Sequence, residues 1–145
     1  MQKLEGKIHI KGSPEAIWEF LTDPEKLALC LPDVEKMDVK DKKHFTVTIR
    51  PQLAFISGSF TAEISLKNLK KPERASLKAI VEGIGGSAEV SSSFKCKKTS
   101  AKETELTWNS TIALHGVLST LPGALIEGFA NRMSEQFFVC IEKKL

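Results

Sequence analysis

The sequence predicts an α+β fold: a curved antiparallel sheet of about seven strands around a long C-terminal helix, with two short helices after the first strand. Three observations predict it. Apolar residues alternate with polar ones in most runs from Val34 to His115, broken only by short turn-like links. Two helix-start signals, SPE and DPE, follow the first strand in quick succession. The last stretch changes to a helical period and keeps it to the end.

The first strand is KLEGKIHIK, where Leu4, Gly6, Ile8 and Ile10 share one face. GSPEAIWEFL starts a helix: Ser13 caps it, Pro14 suits the first position, and Glu15 favours the positive end. TDPEKLALCLP repeats the device with Asp23, Pro24 and Glu25, and Pro32 stops it. VEKMDVK and HFTVTIR flank a polar DKK and read as a hairpin. In the next four strands the inward phase holds Gly58, Phe60, Ala62, Ile64 and Leu66, and then Ala75, Leu77, Ala79 and Val81. It continues with Ala88, Val90, Ser92, Phe94 and Cys96, and ends with Leu106, Trp108, Ser110, Ile112 and Leu114. Strands in succession joined by tight turns make a meander.

The segment TLPGALIEGFANRMSEQFFVCIEKKL reads as one long helix. Leu125, Ile126, Phe129, Ala130, Met133, Phe137, Cys140 and Ile141 fall on one arc, with Phe138 outside it, opposite Phe129. Lys143 and Lys144 suit its negative end. Apolar sheet face and apolar helix arc must pack together. If the sheet curves, a gap can persist where inward residues are small, as at Ala62, Ala79, Ser92 and Ser110. The alternative is that these residues simply let the helix pack close.

The totals are those of one domain: 145 residues, 41% hydrophobic and 27% charged. A net charge of +3 gives no reason to expect nucleic acid, and the lysines concentrate where turns are expected. They are read as solvated loop charge or as a basic face for anionic headgroups. Cys30, Cys96 and Cys140 are odd in number and far apart, and MQKLEGKIHIKG lacks the apolar core of a signal peptide. No apolar run is long enough to span a bilayer. Free thiols and a cytoplasmic chain are therefore expected.

The chemical candidates are thin. VEGIGGSAEV offers three glycines, but a strand pattern follows where a phosphate loop needs a helix, so it reads as a hairpin. His9, His44 and His115 have no metal-ligand spacing. Cys30 sits among Leu27, Ala28, Leu29 and Leu31, which favour an inert thiol. Arg132 and Gln136 border the apolar arc and either reach into a pocket or face solvent.

The run from Gly6 to Pro32, with Pro14, Glu15, Trp18, Leu21, Asp23, Pro24, Cys30 and Leu31, resembles the N-terminal signature of the CoxG family, the G-subunit family of carbon monoxide dehydrogenase. GSFTAEISL, VEGIGGSAEV and GFANRMSEQFF resemble further family segments, so the likeness covers nearly the whole chain. Departures are Asp33 where the family has Gly, the approach GVLSTLPGALIEGFA to the last helix, and an end at Leu145 where relatives often extend. A role resting on a tail is therefore not carried over. The resemblance implies a helix-grip domain of the START-like (SRPBCC) superfamily with an internal apolar cavity. It also implies association with a molybdenum hydroxylase-type dehydrogenase and contact with the membrane or its quinones.

Three functions compete on this reading. The preferred one is binding of a hydrophobic small molecule, a quinone or isoprenoid lipid, without catalysis, cofactor or metal. Its lining is expected from Trp18, Leu27, Cys30 and Leu31 on one side, and from Phe60, Ala62, Leu77 and Ala79 on two strands. Val90, Ser92, Phe94, Trp108, Ser110 and Ile112 on the last strands and Leu125, Phe129, Met133 and Gln136 on the helix complete it. The second is an assembly or membrane-recruitment module using Phe138 and the lysine-rich turns. The third is a cyclase or dehydratase, for which no base can be nominated. Ligand identity and oligomeric state are left open.

Overall fold

The structure, a computed structural model, describes residues 2–50 and 58–145. In chain order the elements are β1 (Gln2–Lys11), α1 (Pro14–Thr22), α2 (Pro24–Cys30), β2 (Val34–Asp41) and β3 (His44–Ile49). There follow β4 (Phe60–Lys70), β5 (Arg74–Gly83), β6 (Gly86–Ser100), β7 (Glu103–Gly116), a 3-10 turn (Val117–Thr120) and α3 (Gly123–Lys144). The described part of β4 begins at Phe60; Ser57, where the alternating pattern starts, lies outside the described residues.

All strands pair antiparallel in the order β1-β7-β6-β5-β4-β3-β2. Chain neighbours are sheet neighbours except β1, which lies at one edge beside β7. The expected meander and the helix that grips it are both present. The glycine segment is a hairpin: Gly83 pairs with Gly86, and the turn residues Ile84 and Gly85 both have positive φ, 51° and 73°. That geometry matches the twist of the flanking strands. No helix among the described residues is long and apolar enough to cross a membrane.

The two short helices start as their residues dictate. Ser13 Oγ accepts from the Ala16 N–H at 3.2 Å, and Asp23 Oδ1 accepts from the Glu25 N–H at 3.0 Å. Each cap satisfies donors that the first turn leaves without a partner. Asp23 both ends α1 and caps α2, which fixes the corner between them.

Two apolar clusters form the core. One gathers Ile10, Ile17, Phe20, Leu27, Leu106 and Ile141, among others, at the end of the sheet covered by α1, α2 and the C-terminus of α3. The other gathers Phe60, Ala88, Leu118, Leu121 and Ile126 at the opposite end.

Two expectations fail here. Cys30 and Cys140 are joined in a disulfide, with Cα atoms 5.5 Å apart, a normal spacing for the bond. Only Cys96 is a free thiol. The cysteines therefore give no reason to place the chain in the cytoplasm, since disulfides persist in oxidising surroundings. Phe138 is half-buried against the first core cluster rather than presented to a partner. It lies opposite Phe129 on the helix, but near its C-terminus α3 has neighbours on more than one side, because α2 and β1 both approach it.

Candidate functional site

Between the two clusters, where α3 crosses the sheet, lies a cavity of about 370 Å³. Its existence follows from a pattern of small and large residues on the inner face. Ala62, Val81, Ala88 and Leu114 stand in register across β4 to β7, and so do Ile64, Ala79, Val90 and Ile112 one step along. The alanines alternate diagonally on adjacent strands, so their missing side-chain volume adds up to one hollow. Ile126, Phe129, Ala130, Met133 and Ser134 of α3 roof it. Leu31 and Pro32, just past α2, and Leu118 of the 3-10 turn wall its ends.

The lining is almost wholly apolar. Its polar groups are few, and the Ser110 hydroxyl is already bonded to Ser92 Oγ at 2.5 Å. Among the described residues, no Asp, Glu, Lys, Arg, His or Cys lines it. Trp108 lies against the wall at Gly6: a Cβ there would fall 2.7 Å from the indole ring. Gly6 is therefore what lets the ring lie across β1.

The structure brings many of the expected lining residues together. Leu31, Phe60, Ala62 and Ala79 face the hollow, as do Val90, Trp108, Ser110, Ile112, Phe129 and Met133. The others lie elsewhere. Leu27 and Cys30 are in the first core cluster, with Leu77 and Phe94 packed on it. Trp18 is half-buried and its Nε1–H donates to the Arg74 carbonyl at 2.9 Å. Ser92 stands behind Ser110, Leu125 packs on the second cluster, and Gln136 is exposed. Arg132 is exposed too and lies over the Phe129 ring, 5.5 Å from its centroid. Residues missed by the sequence reading include Leu4, Val47 and Ile49 on β1 and β3, and Ile126, Ala130 and Ser134 on α3. Leu4, Val47 and Ile49 are in the inward phase of their strands, so alternation pointed to them. What the sequence did not reveal there was the reach of the hollow to β1 and β3.

The titratable groups sit outside. His44 Nδ1 is 2.9 Å from Asp41, His9 Nε2 is 3.5 Å from Glu105, and His115 is 4.0 Å from Glu89, all at the surface. Among the described residues no cluster of three metal-binding side chains occurs. Cys96 is half-buried, and burial pushes its thiol up to about 11, which keeps it protonated and unreactive at neutral pH.

No curated protein sequence matches the chain. Among solved structures, a conserved protein from Geobacillus kaustophilus superposes with a TM-score of 0.92 at 22% identity, over 99% of this chain and 94% of that one. A START superfamily protein from Mycobacterium smegmatis gives 0.75 at 11% identity, over 98% and 95%. The Zhui aromatase/cyclase from a Streptomyces species gives 0.72 at 14% identity, over 99% and 92%. At these identities the likeness is one of fold, and the fold is START-like. The profile of the carbon monoxide dehydrogenase G-subunit (CoxG) family matches residues 6–145, nearly the whole length, and the chain belongs to that family.

Proposed function

We propose that the protein binds a neutral hydrophobic molecule, of the quinone or isoprenoid-lipid class, in the cavity beneath α3. We further propose that it does so in the service of a molybdenum hydroxylase-type dehydrogenase, touching the membrane only peripherally. The observation that carries the binding reading is the hollow itself, with its uncharged lining. At about 370 Å³ the hollow is within the size range of small-molecule sites and takes a compact ring system such as a quinone head. Each 100 Å² of apolar ligand surface buried there contributes about 2.5 kcal/mol. A charged ligand would lose its hydration without a partner, so neutral molecules are favoured. The dehydrogenase link rests on the family the chain belongs to. A cyclase is the weaker reading, since acid–base work needs a titratable group within reach of the substrate. A recruitment role through Phe138 is not retained, because that ring packs inward.

Trp108 provides the test, because it lines the cavity while Trp18 does not. In a Trp18→Phe variant, menadione is expected to quench the remaining indole with a saturable profile. Ala79→Leu, which fills the hollow, is expected to weaken that quenching at least about tenfold while the fold is kept. Linear quenching of the kind free tryptophan shows, unaffected by Ala79→Leu, would overturn the proposal.

A further inference from the structure

The sheet carries a second concavity, built from its outward-facing residues. Lys70, Arg74, Lys95 and Thr107 stand in register on β4, β5, β6 and β7. Beside them Ser76, Ser93 and Asn109 form the next outward row. With Asn68 they border a groove of about 640 Å³, to whose walls Leu69, Ala75 and Phe94 also contribute. The hollow has a local cause. The register slips between Lys67 and Lys70, and Asn68 takes a φ of 53°. A bulge of this kind bends its strand and sharpens the twist.

The charge in this groove is unbalanced. Neighbouring strands are about 4.8 Å apart, so Lys70, Arg74 and Lys95 crowd three cations along one row. Like charges facing each other across a sheet repel. Lys70 has a carboxylate neighbour, Glu73 at 3.2 Å. Arg74 and Lys95 have no ion pair among the described residues. The main chain at Arg74 is anchored from the other side, because its carbonyl accepts from Trp18 Nε1–H of α1. The floor adds hydrogen-bonding groups: the Ser76 and Ser93 hydroxyls, 3.2 Å apart, and the exposed amide of Asn109.

We propose that this groove is a binding site for an organic phosphate, with Arg74 and Lys95 taking the phosphate and Ser76, Ser93 and Asn109 the polar body attached to it. Arg provides a fork of donors and Lys a point charge, and the two together complement a phosphate monoester or diester. The site is independent of the apolar cavity and of what that cavity holds. The phosphate reaches it either on a soluble metabolite or on a lipid headgroup.

Amide chemical shifts of the full chain, followed during titration with glycerol 3-phosphate, test the proposal. Saturable shifts are expected at Arg74, Ser76, Ser93, Lys95 and Asn109, and the double variant Arg74→Gln/Lys95→Gln is expected to bind at least about tenfold more weakly. Preserved dispersion of the other resonances shows that the variant is folded. A parallel sedimentation arm uses phosphatidylglycerol and phosphatidylcholine vesicles. Vesicle binding lost in the double variant identifies a headgroup; binding of glycerol 3-phosphate alone identifies a soluble ligand. Shifts spread evenly over the exposed lysines Lys42, Lys43, Lys97 and Lys98, no saturation, or unchanged affinity in the double variant would each overturn it.

Discussion

Gly6 shows how one residue shapes the cavity. Its Cα faces the Trp108 indole so closely that any Cβ would collide with the ring. Gly6→Ala is therefore expected to push the ring toward the hollow and to cost about 1–3 kcal/mol, as overpacking does. A urea titration of the two proteins checks this, and an unchanged midpoint would show that the ring has another place to go. The sequence placed Gly6 on the inward face but offered no reason for a glycine there, because its partner is about a hundred residues away, opposite it on β7. Cys30 illustrates the same limit. Its apolar neighbours correctly announced a buried sulfur, and it is 5% exposed, but not that it is bonded rather than free. They said nothing of Cys140, 110 residues further on. Local composition reports burial; it does not report who else is buried there.

At the scale of elements, the disulfide ties the last residue of α2 to the last turns of α3. The next residues after Cys30, Leu31 and Pro32, wall the cavity, and α3 roofs it. The bond thus holds roof and end wall together. Closing so long a loop restricts the unfolded chain, and its loss is expected to cost about 2–4 kcal/mol. Cys30→Ser/Cys140→Ser, or the native chain with a phosphine reductant, is expected to show that loss in chemical denaturation. Equal stability with and without reductant would count against it. The strands were the most legible elements, since alternation marked their inward faces, though β6 runs on to Ser100, past the Cys96 where the alternating pattern ends. What alternation does not separate is core from cavity lining: Leu77 and Phe94 share a phase with Ala79 and Val90, yet only the latter pair face the hollow. That distinction depends on where α3 crosses, and no strand records it. On α3 the arc was nearly right. It missed Phe138 because a helix clasped on two sides buries more than one stripe.

For the molecule as a whole, electrostatics lies at the surface and its effect on stability is modest. The Lys71 ammonium bonded to Glu19 lowers that carboxyl's pKa. Glu35 is lowered by bonds from Arg50 and Ser59, and Asp41 by the Lys43 N–H and then by His44. Carboxylates lowered in the folded state contribute stability above their unfolded pKa and lose it as pH falls through the folded value. Stability is therefore expected to stay level from about pH 7 to 5 and to decline below about pH 4. All three groups are exposed, so the decline should be small and weaker in high salt. Urea midpoints at several acid pH values and two salt concentrations check this; a salt-independent acid transition would point instead to buried groups. The general architecture was legible because its signals are local: caps, turns and periods. The outer groove was not, since its cations come from three strands that only the register aligns. The position of β1 beside β7 has a consequence for biosynthesis. Gln2 pairs with Ile112, so β1 is made long before the strand it pairs with. At about 5–20 residues per second, Leu4, Ile8 and Ile10 are synthesised roughly 5–20 s before that neighbour, a greasy stretch for chaperones to shield once it emerges.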